Sequence, residues 1–181
     1  MYYEVTIEDV VRLDPARFNE PIKEAVLKIL KNTYEGKIDK DLGLIVAITE
    51  IEEIEDGLLV PDDPGSFHKT KFKMICFKPE LHEIIRGYIT NITEYGAVVR
   101  FGPMDGFMHI SQIADDFISY NGKTQSLTGK QKKINLQAGD VVIAKIIAVS
   151  LKNNVAESKI NLTMRQPGLG KIEWLKEVEK K

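Results

Sequence analysis

Near the start of the chain apolar and polar residues alternate, with Tyr3, Val5 and Ile7 set against Glu4, Thr6 and Glu8. A period of two belongs to a strand with one face buried and the other in water. Asp14-Pro15 ends it, since proline has no N–H for a continuing ladder. The period then lengthens. Phe18, Ile22, Ala25, Val26 and Ile29 share one face of an amphipathic helix. Asn19 is its expected cap, Pro21 falls in its first turn, and Gly36 stands where it should stop. Residues 43–51 are a β-rich run, and the acidic segment Glu50, Glu52, Glu53, Glu55, Asp56 reads as a solvated strand edge. Asp56-Gly57 signals a hairpin, residues 61–66 are turn chemistry, and 67–77 resume as strand. The order predicts an α+β module over residues 1–80, an antiparallel sheet with one main helix. A module this small often completes its core against a partner.

From residue 81 the pattern changes to short strands at close spacing. Residues 84–92 form one, and Gly87 inside it marks a sharp bend. Glu94-Tyr95-Gly96 turns the chain, 97–101 return, 102–106 turn again, and 107–110 make a third strand. Ser111 is expected to cap a helical turn through Gln112 and Ile113. The polar stretch 115–137, with Asn121-Gly122, Thr128-Gly129 and four lysines, reads as a long loop. Gly139-Asp140 opens a strand over 141–149, and 159–164 supply a fifth. Five glycine-bent strands with a helical turn after the third predict an all-β, five-stranded closed barrel of OB type.

Charge divides the chain at the same place. Residues 1–80 carry 11 Lys+Arg against 17 Asp+Glu, whereas 81–181 carry 14 against 10. An acidic module joined to a basic one suggests that the second meets nucleic acid. Cys76 is the only cysteine, which excludes an intrachain disulfide framework and a cysteine zinc cluster. The longest apolar runs fall far short of the roughly 20 residues of a membrane span, and the N-terminus lacks the pattern of a secretory signal. The expectation is a soluble cytoplasmic protein with no membrane association. No nucleophile–base pair, phosphate loop or magnesium-holding carboxylate cluster is visible, so neither a catalytic site nor a cofactor or metal is expected. His68, beside a turn, reads as a solvated strand-edge histidine.

Several residues of the basic half keep a recognisable order. Gly87, Ile89, Ile92, Tyr95-Gly96-Ala97, Val99, Gly106, His109-Ile110-Ser111, Gly139-Asp140-Val141 and Ile160-x-Leu162-Thr163-Met164-Arg165 resemble the S1 RNA-binding domain over about 82–165. The resemblance implies a nucleic-acid face that includes Tyr95, Phe107 and His109, with Arg100 and Lys145 alongside. The sequence departs at Val98, a position often aromatic in that family, which weakens the stacking platform and leaves more to charge. The residues themselves leave alternatives open. Tyr95 fits a turn, Phe107 a core, and His109 an internal hydrogen bond. Lys130, Lys132 and Lys133 fit either RNA contact or a solvated loop.

The two halves together resemble the E-prime subunit of archaeal RNA polymerase, the larger component of its stalk, and the seventh-largest subunit of eukaryotic RNA polymerase II. Met1-Tyr2-Tyr3, Glu35-Gly36-Lys37-Ile38, Pro167-Gly168-Leu169-Gly170 and Trp174 belong to that likeness. It implies a non-catalytic subunit of a nucleotidyltransferase complex. The implied partners are the small helical F subunit of RNA polymerase, in a heterodimer, the RNA polymerase core, and the single-stranded RNA transcript. Residues 1–80 would dock on the core through a tip at Pro61, Asp62, Asp63, Pro64, Gly65 and Ser66. Residues 81–181 would be the S1-type barrel with a C-terminal helix, on which Ile172, Leu175 and Val178 fall at helical spacing. That helix fits its own barrel or the heterodimer seam equally. An S1 protein of translation or RNA decay and an OB-fold interaction scaffold are the competing identities.

Overall fold

A computed structural model describes residues 1–122, 124–130 and 134–179, the last four of these by backbone alone. Lys132 and Lys133 lie outside the described residues. The chain divides into two compact units, Met1–Lys78 and Pro79–Lys181.

In the first unit three twelve-residue strands do most of the work: β1 (Tyr2–Leu13), β3 (Gly43–Ile54) and β5 (Ser66–Phe77). Helix α1 (Ile22–Tyr34) and the two-residue strands β2 (Ile38–Asp39) and β4 (Leu58–Leu59) complete it. The sheet order is β1-β5-β3-β2, with β4 on β5. β5 is central and antiparallel to both long neighbours, from Tyr2↔Phe77 to Leu13↔Ser66 on one side. Its alternation sends His68, Thr70, Phe72, Met74 and Cys76 inward and Lys69 and Lys71 outward. Val26 and Leu30 of α1 cover the inward face, joined by Val11, Ile45 and Ile48.

Two features of the helix differ from expectation. Its N-cap is Pro21, with no side-chain cap, and Glu24 and Ala25 both donate to the Pro21 carbonyl. A short 3-10 turn at Pro15–Arg17 has already redirected the chain, so Asn19 is upstream of the first helical turn. The buried face is Ala25, Val26 and Leu30, while Phe18 and Ile22 stand half-exposed. The acidic segment differs too. It is ion-paired across the sheet rather than merely solvated: Lys69 meets Glu55 at 3.7 Å, Lys71 meets Glu52 at 3.3 Å, and Lys73 meets Glu52 at 3.1 Å. Three register shifts between β3 and β5 bring these groups together. His68 is buried, with Nε2 3.0 Å from Ser66 Oγ and Nδ1 3.1 Å from the Glu55 carbonyl.

The second unit begins with β6 (Ile84–Thr93), β7 (Gly96–Phe101) and β8 (Met104–His109). Three short strands follow: β9 (Ile118–Asn121), β10 (Ser126–Gly129) and β11 (Asn135–Leu136). The chain ends through β12 (Val141–Ser150), β13 (Lys159–Thr163), β14 (Gly170–Lys171) and α2 (Ile172–Glu179). β13-β8-β7-β6-β12 pair in that order, and a further pairing of β12 with β13 closes the ring. This is the expected five-stranded OB barrel, lined by Ile89, Val99, Met108, Ile146 and Leu162, all essentially buried. The β6–β7 turn requires glycine. Gly96 has φ +155°, and a Cβ there would stand 2.1 Å from the Met108 carbonyl oxygen. Helix α2 lies against β12 and β14, its own barrel.

The stretch expected as a long loop is instead a three-stranded antiparallel sheet, β11-β10-β9. Leu127 and Leu136 are register partners and both fully buried. Two leucines spread among glycines, lysines and amides leave no period to read, yet they suffice to give this sheet an inner face. Replacing Leu127 with alanine is expected to cost about 2–5 kcal/mol in this segment. Hydrogen exchange on β9–β11 amides would detect it. Unprotected amides in the parent protein would show instead that the segment is a loop.

Candidate nucleic-acid interface and docking tip

Barrel closure sets the outer face. β13 runs parallel to β8 with Asn161 beside Phe107, and β7 runs antiparallel with Val98 opposite Phe107. Val98, Phe107 and Asn161 thus form one row across three strands. Phe107 is 36% exposed, so it is an outward residue and not part of the core. It sits between two shallow concavities. One of about 330 Å³ is bounded by Val98, Lys159 and Asn161, and one of about 350 Å³ by His109, Gln112 and Ile147.

His109 lies two residues further along β8 and is exposed. Its Nδ1 accepts from the Ser111 backbone N–H at 3.2 Å and lies 2.9 Å from Ser111 Oγ. Because a backbone N–H occupies Nδ1, neutral His109 carries its proton on Nε2, which leaves that nitrogen a donor. The expected cap, Ser111, is therefore inside the 3-10 turn Ile110–Gln112, and His109 is the cap. The extended backbone of His109 lets its ring reach forward, where the serine hydroxyl falls one step too late.

Tyr95 is exposed in the β6–β7 turn, and its carbonyl accepts from Ile110 N at 2.9 Å. Gly96 pairs with His109, so Tyr95 and His109 share one end of the barrel. A hydrogen bond to Glu94 raises the Tyr95 phenol above its ordinary value. Lys145 pairs with Thr163 on β13, and its Nζ lies 3.5 Å from Gln166 Oε1. Arg100 is already engaged. Its Nε and one terminal nitrogen donate to the two oxygens of Asp105 at 2.8 and 3.0 Å, a fork that raises its affinity for the proton further. Lys130 stands apart on the β9–β11 sheet, its N–H donating to the Phe117 carbonyl at 3.0 Å. The structure thus groups Phe107 and His109 on β8 with Tyr95 in the adjoining β6–β7 turn, with Asn161 and Ile147 joining them unanticipated. Closure of β13 onto β8 brings those two in, and no local pattern announces it.

The tip residues divide by role. Asp62 holds the left-handed region at φ +68°. The Asp63 carboxylate accepts a fork from Arg12 at 2.8 and 2.6 Å and the Gly65 N–H at 2.8 Å. Gly65 and Ser66 are buried, while Pro61, Asp62 and Pro64 face outward. Just before them Leu58 and Leu59 are 72% and 75% exposed, and Val60 is exposed as well. Val10, Leu58 and Phe67 line a concavity of about 590 Å³ walled by Glu55 and Lys69. The run Leu58-Leu59-Val60 carried its signal in plain view, because three apolar residues are out of place where a hairpin end should be polar.

Comparison with known proteins agrees with the two units. Residues 8–64 match the SHS2 domain found in N terminus of Rpb7p/Rpc25p/MJ0397, and residues 78–160 match the S1 RNA binding domain. An SHS2 module followed by an S1 barrel defines the class. DNA-directed RNA polymerase subunit Rpo7 of Saccharolobus shibatae is 39% identical over 180 residues, covering 99% of this chain and 100% of that one. Rpo7 of Sulfolobus acidocaldarius is 37% identical over 175 residues, covering 97% and 95%. DNA-directed RNA polymerase III subunit RPC8 of Saccharomyces cerevisiae is 33% identical over 99 residues, covering 55% and 47%. The chain belongs to the Rpo7 family of DNA-directed RNA polymerase subunits.

The Arg12 fork, with the Gly65 N–H second, holds the Asp63 carboxyl down to about 2. A depressed carboxyl contributes its stability fully above its ordinary value and loses it as pH falls through the lowered one. The clamp is therefore expected to persist to about pH 2 and fail below it, followed by NMR titration of the Asp63 carboxyl carbon. Arg12→Ala should move that midpoint up toward 3.8. A parent protein titrating near 3.8 would show that the clamp does not form in solution.

Proposed function

We propose that the chain is the stalk component of its polymerase and adds no chemistry of its own. It pairs with the small helical F subunit, docks on the enzyme core through the tip, and holds the emerging single-stranded transcript on the barrel during initiation and elongation. The observation that carries this reading is the match to polymerase subunits over nearly the whole chain, with both domains in order.

The tip geometry supports docking. Arg12, Asp63 and Gly65 fix the loop from beneath, so Pro61, Asp62 and Pro64 stay outward beside Leu58, Leu59 and Val60. A pre-ordered apolar knuckle loses little entropy on association. The barrel face supports RNA contact. Phe107 offers a half-exposed ring, His109 an Nε2 donor and Asn161 an amide, and Lys145 on β12 adds a cation elsewhere on the barrel. Tyr95 adds a second ring at the same end. Arg100 is neutralised by Asp105, so it contributes less charge than its type suggests. Lys130, Lys132 and Lys133 supply more, and affinity should fall as salt rises.

Two paired variants in a reconstituted polymerase test the two surfaces separately. Leu58→Glu with Leu59→Glu should weaken core association by roughly 30-fold or more while sparing RNA affinity. Phe107→Ala with His109→Ala should weaken single-stranded RNA binding by roughly 5- to 100-fold while sparing the core. Unchanged core association in the first variant removes the tip assignment. RNA binding that ignores both the second variant and the salt concentration removes the barrel assignment.

A further inference from the structure

Phe117 is 74% exposed, a large apolar ring held in water. Its carbonyl accepts from the Lys130 N–H at 3.0 Å, one step beyond the Ile118↔Gly129 pair, so Phe117 and Lys130 are cross-strand neighbours. Directly opposed residues of an antiparallel pair point to the same side. The next row on that side runs Ser119, Thr128, Asn135 across all three strands. The Ser119 and Thr128 hydroxyls lie 3.3 Å apart. Leu127 and Leu136 take the other side. The outer face of the β9–β11 sheet is therefore an aromatic ring and a lysine beside two hydroxyls and an amide.

We propose that this face is a second single-stranded RNA platform, on which a base stacks on Phe117 and the adjoining phosphate is held by Lys130. The proposal rests on the RNA-binding reading above and extends it to a surface outside the barrel. Two observations choose RNA over a protein occupant. Residues 117–138 contain four lysines and no acidic residue, which suits a polyanion. The next row on the ring's side of the sheet is Ser119, Thr128 and Asn135, polar groups able to hydrogen-bond ribose hydroxyls and phosphates, whereas an anchor for a protein groove would have an apolar surround. The two preceding acids are occupied. Asp115 is paired with Arg165, and Asp116 accepts the Phe117 N–H at 2.6 Å. The platform also complements the barrel, where Val98 stands beside Phe107 in the outer row and adds no ring to it. Stacking on an exposed ring tolerates any base, so the site adds length to the RNA track without adding sequence preference.

The test is fluorescence anisotropy of a labelled uridine-rich RNA with the full chain over a salt series. Phe117→Ala should weaken binding by roughly 5- to 100-fold with the salt slope unchanged, since stacking releases no counterion. Lys130→Ala should lower the slope by about one. Phe117→Trp should restore affinity, and its fluorescence should be quenched by RNA, whereas Phe117→Leu should restore neither. Far-ultraviolet circular dichroism of each variant checks that the fold is intact. Unchanged affinity in Phe117→Ala, with loss in Phe107→Ala, overturns the platform and leaves the barrel reading standing. Absence of RNA binding by the parent chain overturns both. Unchanged RNA affinity with loss of co-purifying polymerase subunits assigns the ring to a protein contact and overturns the platform.

Discussion

The barrel closes because β13 lies antiparallel to β12 and parallel to β8, and the outer face of the second unit is a consequence of that closure. A strand alternates with a period of two, so burying Ile160 and Leu162 obliges Lys159 and Asn161 to face out. Pairing Asn161 with Phe107 then puts a ring, an amide and a cation from distant parts of the chain side by side. The bulge in β12 at Ile146–Ala148 belongs to the same closure and leaves Ile147 outward beside them. None of these groups is strained or strongly desolvated. The surface is a shallow contact face, suited to holding a flexible polymer by stacking and charge.

The first unit is organised by β5. Its inward residues build the core under α1, and its outward lysines gather acids from β1 and β3. Each exposed pair is worth little alone. Their combined effect is to cover the outer face of the sheet with alternating charge, which discourages other sheets from stacking there. The exception lies at one end of β5, where Phe67, Leu58 and Val10 set apolar surface among the charges of Glu55, Asp56 and Lys69.

Much of this was legible from the residues alone. The long strands, the helix and the barrel follow from periods of two and near four, and the glycine, His-Ile-Ser and closing-strand motifs identified the S1 domain. What was not legible depends on register and tertiary placement. Nothing local distinguishes Asn19 from Pro21 as the cap until the 3-10 turn at Pro15–Arg17 has redirected the chain. Phe18 and Ile22 match the helical period but lie beyond the part of α1 that the sheet covers. The acids of β3 find lysine partners through three register shifts that no sequence pattern predicts. The β9–β11 sheet hid because Leu127 and Leu136, its inner pair, are separated by eight residues of which only Ile134 is apolar. Phe117 and Lys130 meet only once that sheet is folded.

The most direct measurement is photocrosslinking of a transcript carrying 4-thiouridine, in elongation complexes of the polymerase that contain this protein, with crosslinked peptides mapped by mass spectrometry. Crosslinks on β8, β13 and the β9–β11 sheet of this chain are the expected result. A transcript that crosslinks to the other subunits and nowhere between residues 79 and 181 would contradict the assignment of this barrel as an RNA-holding surface.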